Sequence, residues 1–141
     1  MYFLQIINPT EIAIATVRII LGLLFFFQAY DKIFNVGQSE FTRTVMAGDK
    51  VKWMPKSFIQ ISTTLSSFIE LIGGGLLILG IFLPFVYLFL AINLIMVGLA
   101  FSYMKPIWDM KHYFPRLAML VYLMMMPAEI DVYAIQSLFY E

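Results

Sequence analysis

Between Ser57 and Met104 the chain carries a single charged side chain, Glu70. Pro84, in the phrase Ile81-Phe82-Leu83-Pro84-Phe85, divides that long apolar run in two. About 20 helical residues, each rising about 1.5 Å, cross the roughly 30 Å of hydrocarbon in a bilayer. Each part reaches that length, so the run reads as two successive membrane spans, 57–82 and 85–104, with an acid inside the first. Two more spans flank this pair. Ile12 to Tyr30, IAIATVRIILGLLFFFQAY, is long enough to cross and holds one charge, Arg18. The segment 113–128, YFPRLAMLVYLMMMPA, is shorter, enough for about 24 Å of helix. Pro115 falls in its first turn, where a missing N–H is tolerated, and Pro127 stops or bends it.

Composition agrees, since 62% hydrophobic residues, 13% charged residues and a mean hydropathy of +0.87 leave too little polar surface to cover a soluble globule of 141 residues. The expected class is all-α: one integral membrane domain over residues 1–141, a four-helix bundle. Nine basic side chains balance nine acidic ones, so nucleic acid is not an expected partner. Cysteine is absent and histidine occurs once. The chain thus has no thiol for dithiol chemistry or iron–sulfur ligation and no pair of histidines for haem, and no metal site is expected. The ten methionines read as adaptable packing material. A cleavable signal peptide is not expected, because Met1 to Glu11 holds no Lys or Arg and no small-residue cleavage site follows the apolar run.

Placement of the basic residues gives the topology. Lys32, Arg43, Lys50, Lys52 and Lys56 fall between the first and second spans, Lys105 and Lys111 between the third and fourth, and Arg116 at the mouth of the fourth. All the basic residues except Arg18, which is inside a span, thus share one face of a four-span arrangement. The positive-inside rule puts both termini outside the cytoplasm. The segment from Asp31 to Lys56 is too long for a tight turn. Ser39 is placed to cap a short interfacial helix ending at Gly48, with Phe41, Val45 and Met46 on one side. Trp53, Trp108 and Tyr113 mark the headgroup level at that face. The Gly-rich phrase of the second span has no counterpart in the fourth, so no inverted repeat of the kind found in transporters is evident.

An ionised carboxylate near mid-bilayer costs about 2.5–3.5 kcal/mol on insertion scales, so Glu70 must be neutralised, paired or hydrated. Thr63, Ser66, Ser67, Glu70, Gly73 and Gly74 recur at three- and four-residue intervals and form one small, polar stripe facing protein. Two readings of it stand: close helix packing, or a setting that makes Glu70 a proton-accepting or ligand-orienting group. Arg18 also has two readings. It can pair with Glu70, from which it is about 3 to 11 Å distant along the membrane normal. Alternatively it snorkels toward the acidic rim of Glu11, Glu129 and Asp131, the direction in which a helical side chain leans. Asp31, Lys32, Asp109, His112 and Arg116 gather as a candidate site at the cytoplasmic mouth. Gln28 and Tyr30, beside Phe25, Phe26 and Phe27, are candidate quinone contacts.

The phrase VRIILGLLFFFQAYDKIF, with Arg18, Leu21, Gly22 and Asp31-Lys32, is followed by SFIELIGGGLLILGIFLP, with Glu70, Gly73 to Gly75 and Gly80. Together they resemble the DoxX family of small four-helix membrane proteins, and the late segment HYFPRLAMLVYLMMMP is similar to fourth-helix sequences of many members. Where many members carry a His-Gly pair before the Lys, this chain has Gln28-Ala29-Tyr30-Asp31. The resemblance implies that Arg18 and Glu70 correspond to the family's intramembrane polar residues. It also implies a range of roles: membrane subunits of thiosulfate:quinone oxidoreductases, partners of redox enzymes and, among distant relatives, cargo receptors or assembly chaperones. The expectation is a small accessory subunit of a larger complex in the bacterial inner membrane, partnered by lipid and by another membrane subunit or a second copy. A quinone-interacting oxidoreductase subunit, with quinone as its cofactor, is the first alternative; a proton-coupled small-molecule carrier is the second. Enzymatic activity, if present, belongs to the first alternative.

The charge asymmetry predicts that alkaline phosphatase fused after Glu141 is active and green fluorescent protein fused there is dark. The opposite pattern would place the C-terminus in the cytoplasm.

Overall fold

The computed structural model describes residues 8–104 and 113–139. Among them five α-helices are joined by short π- and 3-10-helical turns: α1 Pro9–Tyr30, α2 Gln38–Met46, α3 Lys56–Leu79, α4 Leu83–Met104 and α5 Tyr113–Met125. Three apolar helical segments are long enough to cross a membrane: Pro9–Asn35, Lys56–Leu79 and Leu83–Ala100. Helix α5 is apolar but has 13 residues, about 20 Å of helix. It ends two residues before Pro127, after which Ala128–Ile130 forms a 3-10 turn.

Local chemistry accounts for the helix ends. Asn8 caps α1 by accepting the Thr10 N–H at 3.0 Å, and Pro9 occupies the first turn, where its missing N–H is tolerated. The Val36 N–H reaches back to the Asp31 carbonyl at 2.9 Å, closing a wide π turn over Asp31–Asn35 that extends α1. Helix α3 ends at Gly80, whose φ of 72° and ψ of 43° suit a residue without Cβ, and whose N–H returns to the Leu76 carbonyl at 2.8 Å. Phe82 follows at φ 53°, an uncommon conformation for a bulky residue, so the reversal between α3 and α4 is tight. Pro84 then falls in the first turn of α4. The α2 start differs from expectation: Gly37, at φ 89°, holds the cap position without any side-chain bond, and the helix already includes Ser39. The reason is tertiary, since Thr42 is the buried residue of α2 and its hydroxyl meets that of Thr63 on α3 at 2.8 Å.

Residue contacts show that α1 and α3 run antiparallel, as do α3 and α4, and α4 and α5. Arg18 lies beside Leu77, Gly22 beside Gly74 and Ile78, and Lys32 beside Glu70. Glu70 lies beside Asn93, and Gly98 beside Tyr113. Ile14, Leu21 and Phe25 of α1, Leu77 of α3, Val86, Leu90 and Leu94 of α4, and Leu120 and Leu123 of α5 form a continuous buried core. Their spacing of three, four and seven residues is that of one helix face per element. Ile61, Leu65, Phe68 and Ile72 of α3 and Leu88, Phe89, Ile92 and Ile95 of α4 are exposed, an apolar exterior suited to lipid.

Helices α1 and α3 approach closely where they cross. A Cβ on Gly74 would lie 2.6 Å from the Phe26 backbone nitrogen and 2.8 Å from the Gly22 carbonyl oxygen, and one on Gly22 would lie 2.9 Å from the Gly74 oxygen. Apolar side chains gain little from leaving lipid for protein, so dense packing of small residues carries such a contact. Gly75, on the neighbouring face, would place its Cβ no closer than 3.8 Å to Phe26. Gly74→Ala is therefore expected to destabilise the detergent-solubilised protein by about 1–3 kcal/mol by overpacking. Gly75→Ala should be neutral or stabilising, by up to about 1 kcal/mol of helix propensity. Thermal unfolding followed by circular dichroism separates the two.

Candidate functional site

Two charged clusters lie within the apolar helices, at different levels of α3. At the level of Glu70, which is buried, the carboxylate is held from two sides. Lys32, projecting from the π turn, donates Nζ to Oε2 at 3.0 Å, and Asn93 of α4 donates Nδ2 to Oε1 at 3.2 Å. The Lys32 ammonium also lies 5.1 Å from the centre of the Phe41 ring on α2, within cation–π reach.

The second cluster sits at the end of α3. The Arg18 guanidinium is fully buried and donates Nη1 to the carbonyls of Leu77 at 2.6 Å and Ile78 at 3.1 Å, and Nη2 to that of Tyr133 at 3.3 Å. Carbonyls in the last turn of a helix have no partner within it and carry the negative end of its dipole, so a cation is well matched there. Its Nε lies 2.9 Å from Asp131 Oδ2, an ion pair whose N–H points off the line of contact. Burial pushes the Asp131 carboxyl above the ordinary carboxylate range, and the Arg18 charge opposes that rise.

The direct pair of Arg18 with Glu70 is not the one formed: Arg18 meets Asp131, and Glu70 meets Lys32. Side chains on a helix lean toward its N-terminus. On antiparallel α1 and α3 this sends Arg18 toward the chain ends and Glu70 toward the connecting loop. Of the two readings of Arg18, the acidic rim prevails, through Asp131.

The small polar stripe divides its contacts among three neighbours. Gly74 touches α1; Gly73 faces Leu90 of α4, with 3.0 Å between a virtual Cβ and Leu90 Cδ2. Thr63 meets Thr42 of α2, and Ser67, fully buried, returns its hydroxyl to the Thr63 carbonyl at 2.9 Å. Ser66 is half-buried and lines a groove.

That groove, of about 420 Å³, opens between α2, α3 and α4. Lys32, Thr44, Ser62, Thr63 and Ser66 supply its polar wall, and Phe41, Val45, Met96, Val97 and Ala100 its apolar wall. Gln28 and Tyr30 lie elsewhere. The side-chain carbonyl of Gln28 is taken by the Arg116 guanidinium, which also lies 5.6 Å from the centre of the Phe25 ring, while Tyr30 is exposed in an aromatic row with Phe26 and Phe34. Three members of the mouth cluster fall among the described residues. Lys32 pairs with Glu70, Arg116 donates to Gln28, and exposed Asp31 accepts from Asn35 at 2.8 Å. Asp109 and His112 lie outside the described residues. Sequence reasoning missed Asn93, whose signal was present as the single amide in α4. It also missed Lys32 as the counter-charge of Glu70, a pairing with no signal in the spacing.

These partners are separable by double-mutant cycles on detergent stability. Lys32→Met and Glu70→Gln should be coupled by about 0.5–3 kcal/mol, because removing both spares the charge that either change alone would strand. Arg18→Met and Glu70→Gln, acting about 10 Å apart along α3, should add within about 0.5 kcal/mol. Strong coupling of the second pair would restore the direct Arg18–Glu70 contact.

The DoxX family model matches residues 13–103. No curated protein and no solved structure matches the chain. The matched stretch takes in α1 through nearly all of α4, including Arg18, Lys32, Glu70 and Asn93. On that match, together with its long apolar helices, the chain belongs to the DoxX family of membrane proteins.

Proposed function

We propose that this chain is a four-span bundle of the bacterial inner membrane, with both termini outside the cytoplasm, acting as the quinone-facing accessory subunit of a larger oxidoreductase. The observation that carries the reading is the α2–α3–α4 groove, which combines a lysine ammonium, four hydroxyls and an apolar wall in about 420 Å³. A lipid-soluble quinone has the matching chemistry: carbonyl oxygens that only accept hydrogen bonds, and an apolar ring and tail. An ammonium carries three donors, and Glu70 engages one of those of Lys32, leaving others for a quinone carbonyl. Glu70, held by Asn93 behind the groove, keeps the amine in place. The chain has no cysteine, so electrons come from a redox centre on a partner subunit. Quinone takes two electrons from that centre and two protons to become quinol.

Quinone extracted from protein purified in mild detergent and quantified by mass spectrometry tests this. Wild type is expected to retain quinone above the level of an unrelated helical membrane protein prepared alongside. Ser66→Trp, which fills the groove from a half-buried position, and Lys32→Met should each lower retention about tenfold, the loss expected from one missing charged hydrogen bond or a blocked site. Equal quinone in wild type and both variants would defeat the reading.

A further inference from the structure

At the opposite end of α3 from the groove, a second cavity of about 300 Å³ opens between α1, the starts of α4 and of the C-terminal segment, and the end of α5. Its apolar wall is formed by Ile14, Leu83, Leu123 and Met126, and Tyr87, Asp131 and Gln136 bring polar groups to it. Gln136 is engaged in building it. Its side-chain carbonyl accepts the Leu83 N–H at 2.9 Å, and its own backbone N–H donates to the Gly80 carbonyl at 2.9 Å. Those bonds clamp the C-terminal segment over the α3–α4 reversal. Gly80 allows the close approach, since a Cβ there would lie 2.7 Å from Ala134.

Asp131 differs from its neighbours. Its side chain is 6% exposed; Oδ2 lies against the Arg18 guanidinium at 2.9 Å, whereas Oδ1 receives no hydrogen bond from any described residue. A buried acceptor in that condition is costly, because desolvation is not offset by a donor. The negative charge itself is already balanced by Arg18 at 2.9 Å. The missing component is therefore a donor without a charge. A second cation would be repelled by the buried guanidinium, and an anion by the carboxylate.

We infer that this cavity is a binding site for a small, neutral, apolar molecule carrying a hydroxyl or N–H donor, of about one substituted ring in size, which hydrogen-bonds the Asp131 carboxylate. Its volume is at the lower end for small-molecule sites, and its mostly apolar wall with one convergent polar group is the usual pattern. The ring occupies the space between Ile14, Leu123 and Met126, and the donor points to Asp131. Access is from the end of the molecule, where Ala128 is exposed at the rim. This site is independent of the groove, which lies at the Thr63–Ser66 level of α3.

The experiment uses the full chain in lipid nanodiscs and two probes, 4-(trifluoromethyl)phenol and its methyl ether, 4-(trifluoromethyl)anisole, observed by ¹⁹F NMR. The ether keeps the ring and loses the donor. Protein-free nanodiscs set the broadening due to lipid partitioning. The phenol is expected to broaden beyond that level, and the ether to bind about tenfold more weakly or not at all, the difference a hydrogen bond to a charged group makes. Asp131→Asn should weaken the phenol, and Ala128→Trp, which plugs the rim without touching the ion pair, should abolish its excess broadening even if Asp131→Asn does not fold. Phenol and ether broadened alike, excess broadening that survives Ala128→Trp, or no excess in wild type would each overturn the assignment.

Discussion

An ion inside an apolar helical protein needs a counter-charge or a polar partner within reach, and this need arranges the molecule. Glu70 and Arg18 are both buried, at opposite ends of the second half of α3, and each is satisfied by elements that no single helix could supply. Glu70 draws in the π turn after α1 and the middle of α4. Arg18 draws in the end of α3 and the C-terminal segment. Removing one partner of such a pair costs about 3–5 kcal/mol because the other charge stays stranded in a medium that solvates it poorly. The two pairs thus specify how the helices register against one another, while the glycine contact between α1 and α3 specifies how closely they approach.

Hydrogen-bond use differs among the buried polar residues. Ser67 and Thr63 direct their side-chain bonds to groups within the protein, as does the amide nitrogen of Asn93, whose Oδ1 has no partner among the described residues. Lys32 and Asp131 are only partly engaged: the first has donors left over and lines the groove, and the second has an acceptor left over and lines the terminal cavity. On the two proposed readings, a surplus donor in one compartment and a surplus acceptor in the other suit opposite ligand chemistries, carbonyl-bearing and hydroxyl-bearing respectively.

The apolar helices and the polar residues inside them are legible in the sequence. Length and hydropathy are additive along the chain, so the runs 12–30, 57–82 and 85–104 declare themselves without reference to anything else, and α1, α3 and α4 occupy them with ends shifted by a few residues. Proline and glycine at the termini act through local sterics and are equally readable, as Pro84, Pro127 and Gly80 illustrate. The expected cap of α2 fell on Ser39, two positions past the observed cap Gly37, and tertiary contact through Thr42 fixes where that helix lies.

The candidate sites divide differently. That Arg18 and Glu70 are special follows from sequence, because a charge in a long apolar run is costly wherever it sits. Which residue relieves each one does not follow. Partner choice depends on the antiparallel crossing of α1 and α3 and on the opposite lean of their side chains, a three-dimensional relation among residues far apart in the chain. Cavities are further from sequence still. A groove between α2, α3 and α4, or an under-bonded carboxylate beneath a clamped C-terminal segment, exists only where several elements meet. The chain alone therefore determined its solvent, its helices and its buried charges, whereas tertiary structure decided the ion pairing and the cavities, because burial cost is a property of one residue and its relief a property of neighbours.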